Sequence, residues 1–415
     1  MYSIDQKMLT SILNSIKATV YAKDLTGRFL FVNTEWEEAT GLKSKAVVGK
    51  TDYELLGYEL GEYYWSRDRE VIEKCLILES EESLGELEDD KTLLSIKVPI
   101  LEGDEVIGVC GIGTDITRIK QLQKNLACER DKSEQLLLNV LPTSVAYELM
   151  STGTTHSECF DNVGVLFSDI NDFTRISSTL KPERLIEELN DIFTGFDKAI
   201  EENNCERIKT IGDAYMAVSG LPVPNDFFAD QIVNSATQLI CSLKKRAEKE
   251  SLKWTTTIGI HGGDVVGGIV GTKKYIYDIF GSTVNMAARL QSATKIYDAD
   301  ILISDSIYNQ MKYPEQHSIR QIDIVRVKGD GDAIKLYEVF DCDSDDVKTK
   351  KIMTLESLNK ARQHYINGEF QEAMVLLKAC KKINKEDKIF SVYIKRCNTM
   401  MRLPANQNWQ GISGI

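Results

Sequence analysis

The segment that most limits how this chain can fold is Cys205–Gly220, CERIKTIGDAYMAVSG. A β-branched run turns at Gly212, sets Asp213 at the turn and resumes as AYMAV, the pattern of a hairpin with one acid at its tip. Upstream, the fully apolar strand Val163–Phe167 runs into Ser168, Asp169 and Ile170. Two carboxylates, each delivered at the end of a buried strand, suit a hard divalent cation that keeps positions open for phosphate oxygens. Either acid alone would read as a turn cap. Downstream, YDIFGSTVNMAARLQS opens with a glycine turn and continues as a helix carrying Asn285 and Arg289. Residues four apart share a helical face, so these two can address one anion together.

Length matters next, because 415 residues exceed one ordinary domain and imply two or three. The formal net charge of −13 excludes a nucleic-acid surface and adhesion to anionic lipid, both of which need clustered Lys and Arg. Nine cysteines without a CxxC pair argue against a zinc site or a disulfide framework and fit a reducing cytoplasm. The start of the chain lacks the form of a signal peptide, and no apolar stretch reaches the length of a membrane span.

In residues 1–117, an amphipathic helix with Leu9, Ile12, Leu13 and Ile16 on one side precedes the strands TVYAKD and RFLFVN. A helix follows from Thr34 to Gly41, and TLLSIKVPI and EVIGVCGIGTDIT then alternate like antiparallel strands about the turn EGD. Strands, short helices and strands again describe a small α+β sensor domain. VYAKDLTGRFLFVN, VVGKTDYEL and GVCGIGTDIT resemble a PAS domain. The resemblance implies either a small-molecule ligand held against the sheet or an empty, dimerising relay.

Residues 118–152 form a connector in which Ile119, Leu122, Leu126, Glu129, Ser133, Leu136 and Val140 fall on the seam spacing of a two-stranded coiled coil. The alternative is a single solvated helix. Pro142 interrupts it, and TSVAYELM restarts a helix.

Within residues 153–341, FSDINDFT, IKTIGDAYMAVSG and YDIFGSTVNMAARL resemble, in order and spacing, the signature segments of class III nucleotidyl cyclases. The alternation of strands and helices suggests a ferredoxin-like sheet with helices on one face, in agreement with that family. By position, the resemblance makes Asp169, Asp213 and the backbone carbonyl of Ile170 ligands of two Mg²⁺ or Mn²⁺ ions per active site. It makes Asn285 the orienter of the ribose, Arg289 the stabiliser of charge on the α-phosphate, and Lys328 a phosphate contact. It also implies a homodimer with shared sites. The positions that choose the base hold Lys209 and Asp278; an ammonium can donate to adenine N1 and a carboxylate can accept from its amine, so ATP is the expected substrate. A guanylate cyclase and a catalytically silent nucleotide-binding dimer are the other readings.

The last segment, residues 342–415, begins with an acidic linker, DCDSDD, and continues with helices in which Ala361, Tyr365, Gly368, Phe370, Ala373 and Leu377 resemble a single tetratricopeptide-like unit. Such a unit cannot bury its own face and is expected to pack on the cyclase or on its twin. The tail PANQNWQGISGI reads as disordered. The fold class expected overall is a multidomain α+β chain: PAS-like sensor, coiled-coil connector, ferredoxin-like class III cyclase domain and short helical end.

Overall fold

A computed structural model describes residues 5–84, 91–250, 252–271, 274–326, 333–403 and 409–414. They form two compact units, residues 1–136 and 137–415.

The first unit runs α1 (Gln6–Ser15), β1 (Thr19–Asp24), β2 (Phe29–Val32), α2 (Thr34–Thr40), α3 (Ser44–Val47), α4 (Asp52–Leu56), α5 (Tyr58–Lys74), β3 (Leu78–Leu84), β4 (Lys91–Glu102) and β5 (Glu105–Asp115). Its sheet has the order β2-β1-β5-β4-β3. Asn33 caps α2 by accepting from Trp36 N, and Gly41 ends it at φ 72°, a left-handed conformation that glycine adopts without strain. Between β1, β4 and the helices α4 and α5 lies a buried ion network. Lys23 bonds Asp52 at 2.5 Å and Asp68 at 2.6 Å, and Lys97 bonds Asp68 at 2.7 Å.

Helix α6 (Thr117–Leu138) follows, and α7 (Thr143–Thr152) begins just after Pro142, where a proline ends one helix and opens the next. Ile119, Leu122, Leu126, Leu136 and Val140 are all more than half exposed.

The second unit continues β6 (Glu158–Ile170), α8 (Phe173–Ser177), α9 (Pro182–Glu202), β7 (Glu206–Ile211), β8 (Ala214–Ser219), α10 (Phe228–Lys249), β9 (Thr256–Val270), β10 (Ile276–Phe280), α11 (Ser282–Tyr297), β11 (Ile301–Ser304), α12 (Asp305–Tyr308), β12 (Ile319–Arg326), β13 (Ala333–Val339), α13 (Asp345–Ile366), α14 (Phe370–Ile383), α15 (Lys388–Met400) and β14 (Ser413–Gly414). The sheet order is β14-β12-β13-β11-β9-β6-β8-β7, with β10 on β9. The run β9-β6-β8-β7 is the ferredoxin-like order, 4-1-3-2 in chain sequence.

Helices cover both faces of this sheet, not one. Leu166, Ile258 and Ile260 pack with Phe196 of α9 and Ile232 of α10. Val163, Val165 and Met216 pack on the other face with Ala146 of α7 and Ala287 of α11. The unbroken apolar run Val163–Phe167 is what a strand buried on both sides requires. Gly259 allows the second layer: a Cβ there would stand 2.1 Å from Gln291 N and 2.5 Å from Ala287 O, so only glycine lets α11 lie this close to β9.

The carboxyl end departs from the sequence reading in two ways, at the linker and at the tail, while its helices pack on the sheet as expected. DCDSDD is an anchored helix start, with Asp341 bonding His317 at 2.6 Å and Asp343 bonding Lys351 at 2.6 Å. Helices α13–α15 pack on β12, β13 and α11 through Leu358, Tyr365, Leu377 and Phe390. The tail, expected to be disordered, is ordered from Trp409 to Gly414: the Trp409 indole N–H donates to Tyr365 O at 2.8 Å, and β14 pairs with β12. Against the expectation from cysteine spacing, Cys241 and Cys342 form a disulfide. Spacing along the chain cannot reveal partners 101 residues apart.

A second buried ion network ties these helices to the sheet. Arg320 bonds Glu338 at 2.5 Å and Asp387 at 2.6 Å, and Lys351 bonds Glu338 at 2.7 Å. Burial alone would raise the Glu338 carboxyl, but Arg320 and Lys351 outweigh it and hold it below the usual glutamate range. A depressed folded pKa contributes stability that is fully present above the unfolded value and is lost as pH falls through the folded value. Limited proteolysis is therefore expected to leave α13–α15 uncut from pH 7 to pH 5 and to release them as the medium is made more acid than the ordinary glutamate value of 4.5. Glu338→Gln should loosen them already at pH 7 and flatten that acid dependence; an unchanged acid profile would remove Glu338 from the attachment.

Candidate active site

Asp169 is the penultimate residue of β6, opposite Ala214 of β8, so the strand pairing carries it beside the β7–β8 turn. That turn needs Gly212 at φ 65° and leaves Asp213 at the tip. Burial, and then the negative charge of the neighbouring Asp213, push the Asp169 carboxyl above its usual range, and Lys295 acts in the opposite sense. Lys295 Nζ stands 3.9 Å from Asp169 Oδ2. The side chain of Ile170 lies in the core with Ile192 and Trp254, so only its backbone is left to serve the acids.

Two oxygen-donor carboxylates set side by side, with one distant ammonium between them and neutrality, fit a hard divalent cation. Such a cation commonly takes one or two protein carboxylates and fills its remaining positions with water and substrate phosphate. No group of three or more His, Cys, Asp or Glu side chains able to hold a metal ion exists among the described residues, so a cation here would depend on the phosphates for the rest of its shell.

The second group sits on β7 and β10. A bulge between Arg207 and Lys209 changes the face on which β7 presents its side chains. Arg207 bonds Asp197 of α9 at 2.9 Å on one face. Lys209, aligned with Met216, emerges on the other and bonds Asp278 Oδ2 at 2.5 Å. Asp278 Oδ1 accepts from Ile279 N at 2.9 Å, which fixes the carboxylate plane. Both side chains are largely but not wholly covered, with 31% of Lys209 and 15% of Asp278 open to solvent.

The third group is on α11. Asn285 and Arg289 are exposed one turn apart, and among the described residues neither is hydrogen-bonded or ion-paired. The helix is fixed from beneath, by Gly259 and by the Thr283 hydroxyl, which donates to Asp264 O at 2.7 Å. The structure thus brings Asp169 and Asp213 together and Lys209 and Asp278 together, and leaves the α11 pair facing outward. Lys328 lies outside the described residues. Lys295 was not legible from the chain: a lysine near a helix end reads as a solvated residue until the strand that faces it is known.

Residues 155–340 match the adenylate and guanylate cyclase catalytic domain family, and residues 13–121 match the PAS fold family. Receptor-type guanylate cyclase gcy-5 of Caenorhabditis elegans is 34% identical over 241 residues, which are 57% of this chain and 21% of that protein. An adenylate cyclase of Mycobacterium tuberculosis is 30% identical over 207 residues, 50% of this chain and 46% of that protein. The chain therefore spans less than half the length of either relative. Among solved structures, the adenylyl cyclase CyaB from P. aeruginosa is similar at 27% identity with a TM-score of 0.41, over 46% of this chain and 99% of that one.

Proposed function

Because the chain carries a PAS domain over residues 13–121 and belongs, through residues 155–340, to the class III nucleotidyl cyclases, we propose that it is a PAS-regulated adenylate cyclase. It would convert ATP to 3′,5′-cyclic AMP and pyrophosphate at sites shared by two copies of the chain.

The observation that carries the choice of base is the Lys209–Asp278 pair at 2.5 Å. Held together, the two present a donor beside an acceptor. Adenine offers the complement at its Watson–Crick edge, an acceptor at N1 and a donor at the amine. Guanine offers a donor at N1 and an acceptor at O6, so each contact would set like against like. Two mycobacterial and worm relatives bear opposite names, adenylate and guanylate cyclase, which makes guanylate cyclase the second reading.

Asp169, Asp213 and the Ile170 carbonyl would hold Mg²⁺ or Mn²⁺, which supplies positive charge to the triphosphate and acidifies the ribose 3′-hydroxyl. Asn285 would orient the ribose, and the Arg289 guanidinium would meet the charge that grows on the α-phosphate and so favour the transition state over the ground state.

The helix geometry supports a shared site. Lys295 of α11 faces Asp169 of its own chain. Arg289 lies six residues earlier, about 9 Å along the axis and about 120° around it. The stripe bearing Asn285 and Arg289 is thus turned away from the acids of the same protomer and is available to a partner's. The uncovered apolar residues of α6, placed at seam spacing, would supply the pairing of two chains in the cytoplasm.

The test is cyclic product formed from ATP and from GTP by the purified full chain with Mn²⁺. ATP is expected to be preferred by at least about a hundredfold in kcat/KM. Lys209→Glu combined with Asp278→Cys should move the preference toward GTP. Equal use of both nucleotides by the parent chain would end the adenine assignment, and no product from either would end the enzyme reading.

A further inference from the structure

Beneath α13, on the outer strands β12 and β13, lies a cavity of about 540 Å³. Its volume is in the range of sites that hold small organic ligands. Three lining side chains are cations, Arg320, Lys335 and Arg362, and none is an acid. This is unusual ground in a chain of net charge −13. Arg320 is already neutralised by Glu338 and Asp387. The other two cations are not neutralised in this way.

Arg362 is the decisive residue. It is only 6% exposed, and its Nη1 donates to Gln321 O at 3.2 Å. Its Nε is buried and has no hydrogen-bond partner among the described residues. The guanidinium lines the cavity and has no ion pair among the described residues, and an anion is the partner that meets such a group best. Lys335 is exposed at the rim, where it can reach the same anion while remaining soluble when none is bound. Beside them Tyr308 and Tyr337 stack with centroids 4.2 Å apart, and both rings line the cavity half-buried. They give a flat, apolar surface next to a positive one.

We infer that this cavity is a second ligand site, taking a small organic anion whose phosphate or carboxylate head meets Arg362 and Lys335 and whose ring lies against the tyrosine pair. The site is built from α12, β12, β13 and α13 and uses none of the residues assigned to catalysis. Its occupant bridges a sheet strand and the helix packed on it, so binding would also hold α13 to the sheet and stabilise the folded chain.

Isothermal titration of the full chain without divalent cation tests this, with AMP as the phosphate-headed probe, benzoate as the carboxylate-headed one, and adenosine and inorganic phosphate as the ring and the anion alone. One probe of the first pair is expected to bind, and the one that does identifies the head. Adenosine and phosphate should each bind about tenfold more weakly or worse. Arg362→Gln should weaken the binding probe by about tenfold or more, and so should Lys335→Glu, which alters an exposed side chain and leaves the core untouched. Failure of AMP and benzoate alike, or phosphate binding as tightly as AMP, would overturn the site. So would affinity unchanged in both variants, because any binding would then lie elsewhere.

Discussion

Arg289→Ala is expected to lower kcat for cyclic nucleotide formation by about 10²- to 10³-fold while changing KM little, the pattern of a contact made mainly in the transition state. The structure gives this substitution little else to disturb. Arg289 is exposed on α11 and has no ion pair or hydrogen bond among the described residues, and alanine is a strong helix former. The thermal midpoint should therefore stay where it was, and a large loss of stability would mean that the activity change says nothing about catalysis. Asp213→Asn should abolish activity for a different reason, loss of a cation ligand. The two defects would sit on opposite sides of each shared site. Mixing and re-pairing the two inactive chains should thus restore up to about a quarter of the parental activity, because half the dimers are mixed and each of those has one intact site. If mixing restores nothing although mixed dimers form, Arg289 and Asp213 serve the same protomer's site and the geometry drawn from α11 is wrong.

The parts of the site that the sequence made legible are those set by local chemistry. Gly212 had to be a turn glycine, and Asp213 had to follow it at the tip. Asn285 and Arg289 had to share a face once α11 was a helix. The contact between Lys209 and Asp278 was suggested by resemblance, but its physical means was hidden: the bulge after Arg207 reverses the face of Lys209, and no residue type in ERIKTI announces it. Covering of both sheet faces was half visible in Val163–Phe167, whose apolar run lacks the alternation of a one-sided strand. Gly259, which settles the matter by admitting α11, looks like any strand glycine until the helix above it is known. The tail shows the same limit. Trp409 and Gly411 carry no periodic pattern, and they are ordered because Tyr365, Phe370 and Ile366, far back in the chain, form a place for them.

Lys23 and Lys97 were the least legible of all, and the largest stability effect is expected where they meet. In the alternating strands TVYAKD and TLLSIKVPI they occupy positions that read as solvent-facing, yet each is 1% exposed. The compensating charges come from helices: Asp52 from α4 and Asp68, fully buried, from α5. Asp68 is the hub, bonding Lys23 through Oδ2 and Lys97 through Oδ1, with the Tyr21 hydroxyl donating to Oδ1 at 3.2 Å. Lys23 also sits 4.4 Å from the centre of the Phe29 ring, so its charge is enclosed by aromatic and acidic groups together. Asp68→Asn keeps the shape and the oxygen but leaves two buried ammoniums against the single charge of Asp52. Breaking a buried pair from one side costs about 3–5 kcal/mol, and here two pairs share the lost carboxylate. Amide exchange of the β1 and β4 peptides is expected to quicken accordingly in the full chain, while exchange in β6 and β9 stays near the parental rate. Replacing all four charges by apolar residues of similar volume, Lys23→Met, Lys97→Met, Asp52→Leu and Asp68→Leu, should recover most of the loss, since apolar packing in such a place is often as stable as the ion pairs it replaces. If Asp68→Asn exchanged no faster than the parent, those lysines would have to reach solvent, and the charged interior assigned to this sensor domain would be wrong.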